Sequence, residues 1–259
     1  MVSMENHVAK AVITSAGKSS RMKHLASVMP KALFPLFIKE DGGRSITPIV
    51  DLIMGSLTAA GAKKFCFVVG KHKGLLMDYL FDRGVTFVFQ NVPKGFGDAV
   101  LKASDFAGES PIFVHADDGV LTGGYKEAAS LFAEKRPDCV LVLRQTDKPT
   151  RYGIAEVEEA GEFMGHKIFR IRGVEEKPQN PKSNYMLSAV YVFSPKIFEK
   201  LGEITVSEGE LELTYGIQKL IKDGGKAYGI LLNEGERWLN VGDVENYYKS
   251  LKYSYETSN

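Results

Sequence analysis

AVITSAGKSSRMKHLASVMPKALFPL, residues 11–36, opens as an apolar run, Ala11-Val12-Ile13, that reads as a buried strand. It then breaks into the small-residue turn Ala16-Gly17-Lys18-Ser19-Ser20, closed by Arg21. A strand ending in such a turn offers backbone N–H groups to an anion. Lys31 follows Pro30 and leads the apolar segment Ala32-Leu33-Phe34-Pro35-Leu36. A guanidinium, an ammonium and a bare glycine turn over one strand end make a site for phosphates. A tight turn with two solvated cations fits the same residues, so the choice between the two rests on the remainder of the chain.

The 259 residues are 44% hydrophobic, enough to bury a sizeable core in one large α/β domain. Lys and Arg number 33 against 32 Asp and Glu, so no global field draws the protein to nucleic acid or an anionic membrane, and any phosphate affinity is local. Cys66 and Cys139 sit inside apolar runs, KKFCFVVG and PDCVLVL, where a thiol is a small core residue. The segment MVSMENHVAK carries no apolar leader, and no stretch reaches the roughly twenty apolar residues that span a bilayer. A cytoplasmic location is the expectation.

Strand and helix patterns alternate outward from residue 36. Thr47-Pro48 reads as an N-cap followed by proline at the first helical position, and Ile49, Leu52, Ile53 and Leu57 recur at helical spacing until Gly61. Strands are expected at 65–69, 85–89, 112–114 and 139–143, and helices at 75–81, 96–106 and 125–135. This is the pattern of a doubly wound, mostly parallel mixed sheet with helices on both faces, in which ligands bind beyond the carboxyl ends of the strands. From about Thr146 the texture changes: strands at 154–157 and 168–174 flank EAGEFMGH as a hairpin, and another strand covers 186–193. Ser194-Pro195 caps a short helix to Leu201, Leu211 to Lys222 is helical, Ala227 to Leu232 extended, and Asp243 caps a last helix from Val244 to about Tyr253. Residues 1–145 thus form one half and 146–259 a hairpin-rich second half of a single domain.

Three strand ends carry further chemistry. Gln90 precedes Asn91-Val92-Pro93-Lys94-Gly95-Phe96-Gly97, where an amide that both donates and accepts suits a nucleobase edge and glycines allow a ligand close. An ordinary loop is the alternative. His115-Ala116-Asp117-Asp118-Gly119 places adjacent carboxylates at a strand end, as a Mg²⁺ site whose first candidate is Asp117, or as a turn and helix cap. His115 reads as a packing or hydrogen-bonding residue. In Glu175-Glu176-Lys177-Pro178 the proline holds the preceding lysine extended, with its charge directed into the cleft, unless the run is simply solvated.

Taken in order, GKSSRM with PKALFP, QNVPKGFGDAV, ADDG, YGIAEV, VEEKP, NYMLSAVYVF, ELELTYGIQKL and WLNVGDVENYY resemble the sugar-1-phosphate nucleotidyltransferases, closest to glucose-1-phosphate uridylyltransferases and thymidylyltransferases. The resemblance spans roughly Val8 to Tyr248. It implies a Rossmann-like fold with a nucleotide-binding half (1–145) and a sugar-phosphate-binding half plus C-terminal helix (146–259). It also implies transfer of a nucleotidyl group from UTP or dTTP to a sugar 1-phosphate, glucose 1-phosphate foremost, with Mg²⁺ as cofactor and pyrophosphate as product. By position it assigns Ala16, Gly17 and Arg21 to the triphosphate and Lys31 to the transferring phosphoryl group. Gln90 goes to the base, and Gly95 and Gly97 to the approach of the nucleoside. Asp117 goes to the metal, Gly153 and Glu176 to the sugar, and Lys177 to its phosphate.

Three positions depart from the family's usual pattern. The nucleotide loop lacks a second glycine and a threonine before Arg21, a form shared with guanylyl- and cytidylyltransferases of other phosphate acceptors. Asn240 stands where a second metal-binding aspartate is usual, which implies weaker metal binding or a metal held mainly by Asp117. Tyr215 replaces an acidic residue. A non-catalytic, ligand-sensing relative and CMP or GMP transfer are therefore the competing readings. Tyr247, Tyr248, Tyr253 and Tyr255 are candidates for an interface between copies, against a C-terminal helix packed on its own sheet.

Overall fold

The computed structural model describes residues 8–17, 20–206 and 209–258, so Lys18 and Ser19 of the first loop lie outside the described residues. Strand β1 (Lys10–Ser15) ends at Ala16-Gly17, and a 3-10 turn (Ser20–Met22) leads into the short helix α1 (Lys23–Val28). A second 3-10 turn, Lys31–Leu33, precedes the hairpin of β2 (Pro35–Glu40) and β3 (Gly43–Pro48), followed by α2 (Ile49–Ala59). Next come β4 (Lys64–Val69), α3 (Gly74–Leu80), β5 (Thr86–Phe89), α4 (Phe96–Leu101), α5 (Ser104–Ala107) and β6 (Ile112–Ala116). The chain continues through β7 (Gly119–Leu121), α6 (Tyr125–Lys135), β8 (Cys139–Gln145), β9 (Gly153–Phe163), β10 (His166–Glu176) and β11 (Tyr185–Phe193). It closes with α7 (Lys196–Gly202), α8 (Leu213–Lys222), β12 (Ala227–Leu231), β13 (Trp238–Asn240) and α9 (Val244–Thr257).

Nine strands form one mixed sheet in the order β5-β4-β1-β6-β11-β8-β12-β10-β9. β5, β4, β1 and β6 are mutually parallel, β11 runs antiparallel between β6 and β8, β12 is parallel to β8, and β10 and β9 close the far edge antiparallel. The central strands read as unbroken apolar runs because both faces are covered. Ala11 and Ile13 pack with α2, α3 and α6 on one face, while Val12 packs with α4, α7 and α8 on the other. Both cysteines are free and fully buried in the second cluster, as their apolar runs imply. Burial pushes the Cys66 thiol up to about 12.

Several elements differ from the sequence pattern for identifiable reasons. The β9–β10 strands run through most of EAGEFMGH, and the reversal is confined to Met164 (φ 48°) and Gly165 (φ 78°), the two left-handed residues that suit a tight hairpin. The helix expected over 96–106 is two, because Ala103 N–H bonds back to Val100 at 2.9 Å, a three-residue step that interrupts the α-helical ladder. Pro48 and Pro195, rather than Thr47 and Ser194, occupy the N-cap positions of α2 and α7. Asp243 does cap α9, its Oδ1 accepting from Asn246 N–H at 2.9 Å. β7 and β13, three residues each, pair only with one another and are too short to show a period. No described helix is long and apolar enough to cross a membrane.

Candidate active site

β1 and β6 lie side by side in parallel register, Thr14 opposite Ala116, so the residues that leave the two strands meet at one end of the sheet. Ser15 Oγ donates to Asp117 Oδ2 there. Lys31 Nζ lies 2.9 Å from the other oxygen of Asp117 and 3.5 Å from Asp118 Oδ2. Lys31 opens the 3-10 turn whose last bond, Phe34 N–H to Lys31 O at 3.0 Å, leads into the fully buried Phe34 ring, and this anchors the lysine's backbone. The side chains are 12% and 2% exposed for Lys31 and Asp117. Burial opposes the charge on Lys31, but the facing carboxylates of Asp117 and Asp118 outweigh it and raise its pKa. Lys31 and Asp117 are thus a charge pair on the floor of the site, with the second carboxylate, Asp118, beside them.

His115 lies behind this floor as a packing residue. It is fully buried, 2.7 Å from Tyr125 Oη through Nε2 and 2.6 Å from Ala116 O through Nδ1. An Nδ1–H donor to the carbonyl and an Nε2 acceptor for the phenol satisfy both bonds with a neutral ring, and burial lowers its pKa to about 4.

A cleft of about 560 Å³ opens over these carboxylates. Ala16, Gly17, Arg21, Lys31, Gln90, Gly95, Asp117 and Glu176 are among the residues that line it. Arg21 is exposed at its lip. Gln90, only 3% exposed, donates from Nε2 to Gly95 O (3.1 Å) and to Asp98 Oδ2 (2.7 Å). Two acceptors on one side of the amide fix its orientation and leave Oε1 as the group without a bond among the described residues.

The glycines of this loop also make room for another part of the chain. A Cβ at Gly95 (φ 104°) would stand 2.5 Å from Leu211 O, and at Gly97 2.8 Å from the same oxygen. Gly97 N–H bonds Leu211 O, and Leu211 N–H bonds Lys94 O, each at 2.7 Å. The missing side chains therefore admit the chain's own 211–212 segment; Gly95 still borders the cleft, whereas Gly97 does not.

The opposite flank is built by the β9–β10 edge. Gly153 pairs with Glu176 in the ladder, and a Cβ on Gly153 would meet Thr214 Cγ2 at 2.9 Å and Glu176 Oε2 at 3.1 Å. Thr214 Oγ1, from α8, donates to Glu176 Oε2 at 3.3 Å. Lys177 departs from expectation. It is left-handed (φ 44°) rather than extended, because the chain reverses after its N–H closes a last bond to Tyr152 O at 3.1 Å. Its side chain is 58% exposed and pairs with Glu176 Oε1 at 3.0 Å, a bond that raises its pKa. Arg21, Lys31 and Asp117 share the cleft; Lys177 reaches it only through Glu176.

Asn240 lies on β13 opposite Gly119, and its Oδ1 accepts from Gly242 N–H at 2.6 Å. A Cβ on Gly242 would stand 3.0 Å from that oxygen and 3.1 Å from Asp118 Oδ2, so the amide and the second carboxylate face the same point beside the cleft. No group of three His, Cys, Asp or Glu side chains among the described residues is spaced for a metal. The oxygen donors of Asp117, Asp118 and Asn240 are nonetheless the set a hard divalent cation takes together with substrate oxygens. Tyr215 is exposed on α8 and borders a separate surface groove. Ser15, Thr214 and Glu210, which lines the cleft, are site residues that sequence reasoning passed over. The signal for Ser15 was its place two residues ahead of Gly17; Thr214 and Glu210 gave none.

The nucleotidyl transferase profile matches residues 10–256. The chain is 29% identical over 255 residues to the glucose-1-phosphate thymidylyltransferase of Streptomyces griseus, covering 96% of this chain and 67% of that protein. It is 29% identical over 222 residues to the uridylyltransferase AglF of Haloferax volcanii, named as acting with UTP and glucose 1-phosphate, covering 83% of this chain and 84% of that one. The chain spans 63% and 61% of the length of two further curated relatives. A solved UDP-glucose pyrophosphorylase in complex with UDP-glucose shares the fold, with a TM-score of 0.81 at 21% identity over 96% of this chain and 99% of that one. With the profile covering nearly its full length, this chain belongs to the nucleotidyl transferase family.

Proposed function

We propose that the protein transfers a uridylyl or thymidylyl group from UTP or dTTP to a hexose 1-phosphate, glucose 1-phosphate first, releasing pyrophosphate. The observation that carries this reading is the Ser15–Asp117–Lys31–Asp118 cluster on the floor of a cleft lined by Ala16, Gly17 and Arg21 as well as by Glu176. Opposite charges lie where the reacting phosphates meet, and the lining presents the chemistry of two different substrates.

An oxygen of the sugar phosphate attacks the α-phosphorus in line, the α–β bridging bond breaks, and the electron pair leaves on the diphosphate. The nucleophile is anionic at neutral pH, so the protein has only to align two anions and neutralise them. Arg21 and the backbone of Ala16 and Gly17 bind the triphosphate, and Lys31 faces the transferring phosphoryl group. Glu176, held by Thr214 and spaced by Gly153, accepts from sugar hydroxyls, and Lys177 meets the sugar phosphate from the rim. Asp117, Asp118 and Asn240 would hold Mg²⁺, which supplies charge neutralisation at the phosphate oxygens.

Gln90 favours the base. Its unbonded Oε1 is an acceptor, which suits the N3–H of uracil or thymine.

The test is pyrophosphate release by the purified protein with Mg²⁺, glucose 1-phosphate and UTP, dTTP, CTP or GTP in turn. Turnover with UTP or dTTP well above CTP is expected. Nucleotide binding with no turnover across a panel of sugar 1-phosphates would replace this reading with that of a ligand-sensing relative.

A further inference from the structure

Lys73 plays no part in the chemistry described so far, yet it is the buried lysine nearest in character to an active-site group. The residue is 7% exposed, its ammonium keeps some contact with solvent, and among the described residues it makes no hydrogen bond or ion pair. An unpaired ammonium in that position is costly, and unpaired buried charges concentrate where a ligand completes them. Its surroundings are consistent with that: burial lowers its pKa, the field of Asp117 opposes this and that of Lys31 adds to it.

Lys73 lines a cavity of about 520 Å³ with Ala26, Ser27 and Gly70, and this cavity shares Ala16, Gly17 and Pro93 with the main cleft. The two spaces therefore meet at the phosphate loop. The contact is close: a Cβ on Gly70 would lie 2.8 Å from Ala16 O, so the end of β4 presses against the end of β1 and delivers Lys73 beside the loop.

Sheet order gives the direction. Lys73 follows β4, Asp117 follows β6, and Glu176 ends β10, whose partner β9 also pairs with β11 next to β6. The attacking phosphate, bound by the Glu176 flank, enters from the β10 side; an in-line displacement expels its leaving group on the opposite side, toward β4. Resting on the function proposed above, we infer that Lys73 is a further substrate-binding cation, completed by the β- and γ-phosphates of the nucleotide and by the pyrophosphate they become.

The test compares wild type with Lys73→Met, which keeps the alkyl stem and removes the charge, by calorimetric titration with inorganic pyrophosphate and with UMP. Pyrophosphate affinity should fall by about ten- to a hundredfold, the range for one charged hydrogen bond, while UMP affinity stays unchanged. The midpoint of thermal unfolding should be equal or higher, since an unpaired buried charge has been removed. In the reverse reaction the KM for pyrophosphate should rise and that for the nucleotide sugar should not. Unchanged pyrophosphate affinity in a folded Lys73→Met protein overturns the inference. A misfolded variant, or one weakened equally toward both ligands, also overturns it by making Lys73 a scaffold residue. Wild-type protein that binds neither UTP nor pyrophosphate would instead overturn the function proposed above, whatever the variant does.

Discussion

The floor of the cleft and its acceptor rim are built from the same kinds of charge and hold them differently. On the floor, Lys31 and Asp117 are nearly excluded from water, bonded at 2.9 Å and backed by Ser15. On the rim, Lys177 and Glu176 form a pair at 3.0 Å, but the lysine is largely solvated. A charge pair held in low dielectric is worth several times one in water, and its geometry is fixed before substrate arrives. On the function proposed above, the floor is where transition-state stabilisation belongs, and the rim where ligands are selected and positioned.

Asp117→Ala attacks the floor at its centre and carries the largest expected effect, a loss of about a hundredfold or more in kcat measured by pyrophosphate release. The circular dichroism should stay native, although breaking a buried pair costs about 3 kcal/mol in chemical denaturation. Near wild-type turnover would remove the distinction between floor and rim and the metal assignment with it. Lys31→Met should cost about a hundredfold in kcat with a small change in the KM of the sugar phosphate.

On the rim, the effects should move to KM. Gly153→Ala pushes a methyl group toward Thr214 and Glu176, and it should raise the KM for the sugar phosphate about tenfold while leaving nucleotide affinity alone. Asn240→Asp adds a charge beside Asp118 and should lower the Mg²⁺ concentration for half-maximal rate by about severalfold; no change there would mean that position 240 does not face the metal. Lys177→Ala should have the smallest effect, a rise of up to about fivefold in the sugar phosphate KM, because a solvated pair contributes about 1 kcal/mol or less. A hundredfold loss of kcat from Lys177→Ala would show that the rim lysine closes onto the reacting phosphate and belongs functionally with the floor.

Legibility from sequence followed the range of the interactions. Strands such as 65–69 and helices such as 125–135 stood out because local periodicity and flanking glycines mark them, and Asp243 was visible as a cap because its bond to Asn246 spans three residues. β7 and β13 did not stand out, since each is stabilised by the other across more than a hundred residues of chain. The same holds within the site. Asp117 was recognisable by type and by position at a strand end and Lys31 by its place after Pro30, but Thr214 and Glu210 enter only because α8 and the segment before it dock against β10 and the 95–97 loop.

From its amino acids alone this chain is committed to a two-faced α/β sheet, because apolar period and turn residues are local properties, while its strand-end charges point to phosphate only through the order of motifs that resembles the nucleotidyltransferases. Which charges are withdrawn from water was settled only in three dimensions. Lys31 became an anchored partner of Asp117, Lys177 an exposed partner of Glu176, and Lys73 a mostly buried side chain without one. These three lysines are alike as residues, and they differ because burial and partner depend on the register of strands that are distant in sequence.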